Sequence, residues 1–311
     1  MIMLVKTGGE ASLPEWRSLF ADLLPSLDVR WWDDPTVAPE DVAYTFLWAP
    51  EPGRLATYPN LRLIISSGAG VDHLTADPHL PAHIPVAKMG APEAVARMRE
   101  FALATVFFHH RRFHTFVANQ RLKRWEDDET TEAANRTVGV MGLGSLGLPS
   151  ALALRDAGFR VKAWSRSARA IEGIESHAGD AGFDAFLDGT EILLCLLAAT
   201  PETAGIIDAA TLAKLPKGAC VINGARGSHV VFPDLIAALD AGHIAAATLD
   251  VFETEPLPAD SPAWTHPRIL VTPHVASFPN RAARARFVAE AITAFEADGT
   301  VLNRFDPDRG Y

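Results

Sequence analysis

The sequence predicts an α/β protein built from two doubly wound parallel-sheet domains. Three observations carry this. Strand-like and helix-like segments alternate from the N-terminus to about residue 90, and again from Thr137 onward. A glycine-rich turn, Gly142-Leu143-Gly144-Ser145-Leu146-Gly147, joins strand to helix at the start of the second series. A last helical pattern follows Pro273 and Pro279 and is expected to return to the first domain. Strands alternating with helices call for a parallel sheet covered on both faces.

In the first series, Met3–Lys6, Asp28–Trp31, Val42–Phe46, Leu61–Ser66 and Pro85–Lys88 read as strands. Pro14–Leu24 reads as a helix starting at Ser12 or Leu13, with proline in the first turn, where its missing N–H is harmless. From Pro92 to Val117 the chain has no internal glycine or proline, which predicts one long helix. Such a helix serves either as a subunit contact or as an interdomain spine in a monomer. Gln120–Asn135 is polar around Trp125 and reads as a loop or arm. The second series has strands at Thr137–Met141, Arg160–Trp164, Ile192–Leu196, Ala219–Asn223, Ala245–Leu249 and Ile269–Val271, a doubly wound nucleotide-binding pattern. Arg281–Asp298 is the final helix. The expected boundaries are 1–95 with 280–311 for a smaller, discontinuous substrate (lid) domain, and 96–279 for a Rossmann dinucleotide-binding domain.

Length and composition suit this. A chain of 311 residues, 48% hydrophobic and 21% charged, can bury two cores. The net charge of −10 argues against a nucleic-acid surface. No apolar run approaches the roughly 20 residues of a membrane helix, and the first residues lack the pattern of a signal peptide, so a cytoplasmic setting is expected. Cys195 and Cys220 fall in apolar strand-like runs and are expected to be reduced core thiols. His109, His110 and His114 include an i,i+4 pair, but no HExxH pattern accompanies them. A wet helix face or subunit contact is expected there, and no metal site. His73, His229 and His243 lie near motif segments without an evident role.

The glycine turn has the strand-before, helix-after context that dinucleotide binding requires. Gly142 permits the tight turn, Gly144 lets the backbone approach a pyrophosphate, and Gly147 lets helix and strand pack closely. The N–H groups around Ser145 and Leu146 open the helix and face the phosphates. After Val161-Lys162-Ala163-Trp164, where an acidic residue usually meets the adenosine ribose, stand Ser165, Arg166 and Ser167, with Arg169 close behind. Loss of the acid and gain of a guanidinium suit a 2′-phosphate. NADPH is therefore the expected cofactor, with NADH as the second choice. The alternative is that Arg166 stacks on adenine or points to water.

Downstream come Arg226 in Asn223-Gly224-Ala225-Arg226-Gly227, Glu255 in Glu255-Pro256-Leu257-Pro258, and His274 in Thr272-Pro273-His274. Reducing a 2-oxo acid at C2 needs a proton donor active near neutral pH, and imidazole fills that role. A carboxylate beside it favours imidazolium and orients the ring. A guanidinium can hold the substrate carboxylate and polarise the carbonyl. Arg226 and His274 both fall just past strand ends, where open α/β sheets bind ligands.

With these residues in view, the chain resembles the D-isomer-specific 2-hydroxyacid dehydrogenase family, and within it the glyoxylate/hydroxypyruvate reductase A group. The resemblance runs nearly the whole length. It rests on Gly68-Ala69-Gly70-Val71-Asp72, the glycine turn, Trp164-Ser165-Arg166-Ser167, Thr200-Pro201-Glu202-Thr203, Asn223–Gly227, Leu249-Asp250-Val251-Phe252, Glu255–Pro258 and Thr272–His274. It implies that Arg226 binds substrate, that Glu255 and His274 form the acid/base pair, and that Asp250 meets the nicotinamide amide. Ala69, Gly70 and Val71 would offer N–H groups to the substrate carboxylate. Trp48 looks like a substrate-side residue, although core packing explains Trp48 and Trp125 about as well. With the 92–117 helix and the Trp125 arm, the resemblance also implies a homodimer. The expected activity is NADPH-dependent reduction of glyoxylate to glycolate and of hydroxypyruvate to D-glycerate. The alternatives are an NAD-dependent D-2-hydroxyacid dehydrogenase of another specificity, or a non-catalytic dinucleotide sensor.

Overall fold

The computed structural model describes residues 1–127 and 129–307. Asp128, within the segment expected to form a loop or arm, and residues 308–311, at the end of the expected first domain, lie outside the described residues. The chain forms two compact units, Met1–Glu93 with Pro279–Tyr311, and Ala94–Phe278.

The first unit carries strands β1 (Ile2–Lys6), β2 (Asp28–Trp31), β3 (Val42–Leu47), β4 (Leu63–Ser66) and β5 (Val86–Ala87). All pairings are parallel, in the order β2-β1-β3-β4-β5. Alternate side chains feed opposite faces, as the pleat requires. Met3, Val5, Leu63 and Ile65 join Trp16 and Phe20 of the helix Leu13–Leu23 and Phe287 and Val288 of the helix Arg281–Asp298. Leu4 and Ile64 face the other way, toward Trp32, Leu55 and Leu74. Strand order reverses between β1 and β3. At that point the strand ends run into Thr7-Gly8-Gly9 and Trp48.

The second unit has β6 (Thr137–Met141), β7 (Arg160–Ser165), β8 (Ile174–Ala178), β9 (Ile192–Cys195), β10 (Ala219–Asn223), β11 (Ile244–Leu249) and β12 (Ile269–Val271). The order is β12-β11-β10-β9-β6-β7-β8, again with parallel pairing throughout. The seventh strand, β8, is absent from the sequence-based expectation of six. It sits at the sheet edge, only Ile174 of its residues is buried, and Glu175-Ser176-His177 gives no apolar signal. Met141, Leu193, Val221 and Leu249 pack on one face of this sheet, and Val138, Val140, Leu194, Cys220 and Ile222 on the other. Cys195 and Cys220 are free and buried, and burial pushes both thiols up to about 12. The order reverses between β6 and β9, which puts the glycine turn at the switch point.

The expected single helix over 92–117 is instead two, Pro92–His110 and Phe113–Arg121, divided at Arg112, which is left-handed with φ 57°. Neither glycine nor proline announces the break. Local ring contacts span the turn, with the His114 ring 5.5 Å from His109 and 6.3 Å from Phe108. His109 and His110 do not form a wet face. His109 is 3% exposed, with Nε2 2.8 Å from the Thr248 hydroxyl, and His110 meets the Phe159 ring edge-on at 5.1 Å. Among the described residues no helix is long and apolar enough to cross a membrane, and no cluster of His, Cys, Asp or Glu is placed to hold a metal ion.

Burial, then the neighbouring His114, push His109 down to about 3. In the unfolded chain a histidine titrates near 6.5. As pH falls below that value the unfolded chain takes a proton that the folded chain refuses until about 3. His109 thus draws stability down across this window and has no such effect above it. The melting temperature should fall between about pH 7.5 and about pH 5, and fall less in His109→Gln. Equal pH slopes for the two proteins would dismiss this role.

Candidate active site

Arg226 follows β10 on a turn shaped by Asn223, a fully buried strand-end residue. The Asn223 side-chain amide donates to Arg226 O at 2.8 Å, and its carbonyl accepts from Ala225 N–H at 3.1 Å. The Arg226 N–H donates to His229 Nδ1 at 3.2 Å, and His229 Nε2 lies 3.2 Å from Ala198 O. His229 is completely buried, so it braces the Arg226 backbone from below. Gly227 is required by packing, because a β-carbon there would lie 1.9 Å from the Phe252 carbonyl carbon. That contact presses the Arg226 turn against the segment leading to Glu255.

Glu255 and His274 meet directly, with Oε2 2.6 Å from Nδ1. Both side chains are about one-third exposed, at 32% and 33%. The Glu255 Oε1 accepts from Phe252 N–H at 2.9 Å. Burial pushes the Glu255 carboxyl up. The hydrogen bonds from His274 and Phe252, with the charges of His274 and Arg226, outweigh it and hold the group below its usual range. The Arg226 charge adds to this lowering, after the His274 and Phe252 contacts.

His274 has a left-handed backbone, φ 53°, a conformation disfavoured for a residue with a β-carbon. Asp250, 1% exposed at the end of β11, holds it there. Its backbone O accepts from His274 N–H at 2.7 Å. Its carboxylate accepts from the Thr272 hydroxyl at 2.6 Å, Val275 N–H at 2.9 Å and Ala276 N–H at 3.0 Å. Sequence reasoning assigned Asp250 only to the cofactor. This bracing of the histidine loop, like the His229 and Gly227 contacts, depends on segments far apart in sequence.

At the switch point Gly142 has φ 96°, and a β-carbon on Gly147 would lie 1.9 Å from Gly142 O. Strand end and helix start therefore touch backbone to backbone. A β-carbon on Gly144 would meet nothing within 4 Å. Glycine there is not demanded by packing and leaves open space over the turn. Ser145 and Leu146 lead into the helix Gly147–Asp156, whose first N–H groups lack partners within the helix. These features fit a dinucleotide pyrophosphate. After β7, the Ser165 hydroxyl donates to Ser167 O at 2.9 Å and folds the turn that presents Arg166 at the surface. A hydrogen bond from Thr200, the Glu202 N–H and the Arg166 charge together hold the Glu202 carboxyl low. Arg169 donates from Nη1 to Leu143 O at 2.9 Å, which brings a second guanidinium onto the glycine turn.

In the other unit, Ala69 and Gly70 are partly exposed and Val71 is buried at the start of the short helix Asp72–Thr75. Trp48 is partly buried beside this loop. A β-carbon on Gly68 would lie 2.5 Å from its Cζ3. Trp125, in contrast, is fully exposed and packs in no core.

Comparison with known proteins agrees with this architecture. The family model for the D-isomer specific 2-hydroxyacid dehydrogenase NAD binding domain matches residues 103–276. The chain is 39% identical to glyoxylate/hydroxypyruvate reductase A of Serratia proteamaculans over 96% of each chain. Among solved structures it is similar to a D-isomer specific 2-hydroxyacid dehydrogenase of Xanthobacter autotrophicus Py2 in complex with NADPH and MES. That match has a TM-score of 0.92 and 43% identity, covering 100% of this chain and 99% of the other. It is also similar to an NADPH-dependent glyoxylate/hydroxypyruvate reductase of Sinorhizobium meliloti in complex with NADP and sulfate, with a TM-score of 0.90, 36% identity and coverage of 100% and 99%. The chain belongs to the D-isomer specific 2-hydroxyacid dehydrogenase family and is an NAD(P)-dependent oxidoreductase.

Proposed function

We propose that this protein reduces small 2-oxo acids, glyoxylate and hydroxypyruvate foremost, with NADPH. The observation that carries the reading is the 2.6 Å contact between His274 Nδ1 and Glu255 Oε2, within reach of the Arg226 charge. NADPH, when bound, supplies the hydride to C2. His274 delivers the proton to the carbonyl oxygen through Nε2, since Nδ1 is engaged by Glu255. The carboxylate holds Nδ1 and keeps the ring in one orientation. Arg226 binds the substrate and opposes the negative charge that grows on its oxygen. The Ala69, Gly70 and Val71 backbone takes the substrate carboxylate, with Trp48 alongside.

Gly142, Gly144, Ser145, Leu146 and Gly147 take the pyrophosphate, and Ser165, Arg166 and Ser167 the ribose 2′-phosphate. A carboxylate has about four acceptor sites. The three donors on Asp250 leave one for the nicotinamide amide. We further infer a homodimer, because Phe113, Val117, Leu122 and Trp125 expose apolar surface along one stretch of chain.

A panel of small 2-oxo acids assayed in parallel with NADPH and NADH tests the reading. Glyoxylate and hydroxypyruvate should consume NADPH, and a panel without turnover would reject it. His274→Ala should lower kcat by about 100- to 10,000-fold while NADPH still binds, as judged by quenching of protein fluorescence. Wild-type turnover in that variant would remove the proton-donor role. Arg166→Ala should raise the KM for NADPH about 10- to 100-fold and leave NADH almost unaffected. An unchanged NADPH/NADH ratio would remove the 2′-phosphate assignment. Sedimentation at micromolar concentration should give twice the chain mass of 33.5 kDa, and a monomer would refute the dimer.

A further inference from the structure

We propose that His73 is a positioning residue: it fixes the Trp48 indole beside the Gly68–Val71 loop and thereby limits the size of the group carried on the substrate's carbonyl carbon. This rests on the functional reading above, in which that loop takes the 2-oxo acid carboxylate.

The two rings stack, with centroids 3.9 Å apart and planes inclined by 29°. Both partners are tied to the same loop. The Ser66 hydroxyl lies 3.0 Å from Gly68 O and 3.2 Å from Gly70 O, accepts from Gly68 N–H at 3.2 Å, and lies 3.4 Å from His73 Nε2. One buried hydroxyl thus gathers the loop backbone and the histidine. On the other side of the contact, the Trp48 N–H donates to Lys6 O at 2.9 Å, which anchors the residue at the end of β1. Ala49, directly after it, is left-handed at φ 47°, a conformation disfavoured for alanine and held by its surroundings. Gly68 has no room for a β-carbon beneath the indole. Trp48 is therefore confined by a strand end, a strained backbone, a glycine and an aromatic ring.

Glyoxylate carries only hydrogen on its carbonyl carbon, and hydroxypyruvate a hydroxymethyl group. An indole that cannot swing aside accepts these and excludes branched or longer chains. Of the four constraints, the His73 ring is the one that side-chain substitution removes without altering the loop backbone.

The test compares kcat and KM for glyoxylate and for 2-oxoisocaproate, with saturating NADPH, in wild type, His73→Ala, His73→Phe and Trp48→Ala. His73→Ala should move the glyoxylate/2-oxoisocaproate ratio of kcat/KM by about 10-fold toward the larger acid, with the KM for NADPH unchanged. His73→Phe keeps a ring in the stack and should retain the wild-type ratio. Trp48→Ala should shift the ratio in the same direction as His73→Ala, and the double variant should add nothing further. An unshifted ratio in His73→Ala overturns the proposal. So does a shift as large in His73→Phe, which would assign the effect to the Ser66 contact. Should His73→Ala fail to fold, the pair His73→Phe and Trp48→Ala decides, and an unshifted Trp48→Ala overturns it. A wild type that turns over neither acid dismisses the functional reading itself, whereas an active wild type with unshifted variants dismisses only the role of His73.

Discussion

Asp250 is the constraint on which the His274–Glu255 pair of the second unit depends. A carboxylate at 1% exposure is costly to bury unless its lone pairs are filled. Here one hydroxyl and two backbone N–H groups occupy three of its roughly four acceptor sites, all from the Thr272–Ala276 loop. The same residue's carbonyl takes the His274 N–H. These bonds offset the cost of a left-handed histidine, so that the imidazole leaves the main chain where Glu255 can reach it. Without that clamp the loop would relax to an ordinary backbone, and the His274 ring would lose its Glu255 partner.

A second set of constraints comes from the places where backbone meets backbone with no side chain between. Gly147 against Gly142 O sets the approach of helix to strand at the glycine turn. Gly227 against Phe252 sets the approach of the Arg226 turn to the Glu255 segment. Neither glycine has a positive φ, so conformational freedom is not their purpose. Their role is absence of volume. Arg226 and Glu255 stand on separate loops, and the Gly227 contact keeps their spacing from depending on flexible side chains.

Much of this was legible in the sequence. The βα alternation and the turn from Gly142 to Gly147 identify the doubly wound fold because period and glycine spacing are local properties. The terminal helix Arg281–Asp298 has the bounds expected after the Pro273 and Pro279 breaks, and in the structure Asn280 caps one end and Gly299 the other. What escaped depends on tertiary contact. The edge strand β8 has too little apolar content to announce itself. Arg112 breaks a helix with no glycine or proline to mark it, and Phe108, His109 and His114 meet across the bend. His109 reads as polar yet is buried against Thr248. The order of Arg226, Glu255 and His274 was visible, but the distance between the last two is set by Asp250, whose bonds to the 272–276 loop leave no mark in spacing.

The two cysteines have a consequence of their own. Cys195 and Cys220 lie on the neighbouring central strands β9 and β10, with their thiols held protonated by burial. Thiolate is the form that alkylating agents and peroxides attack. While the sheet is intact, neither sulfur is available for such chemistry. Reagents that modify them therefore reach the sulfurs when these strands open, so alkylation rates report the opening of β9 and β10.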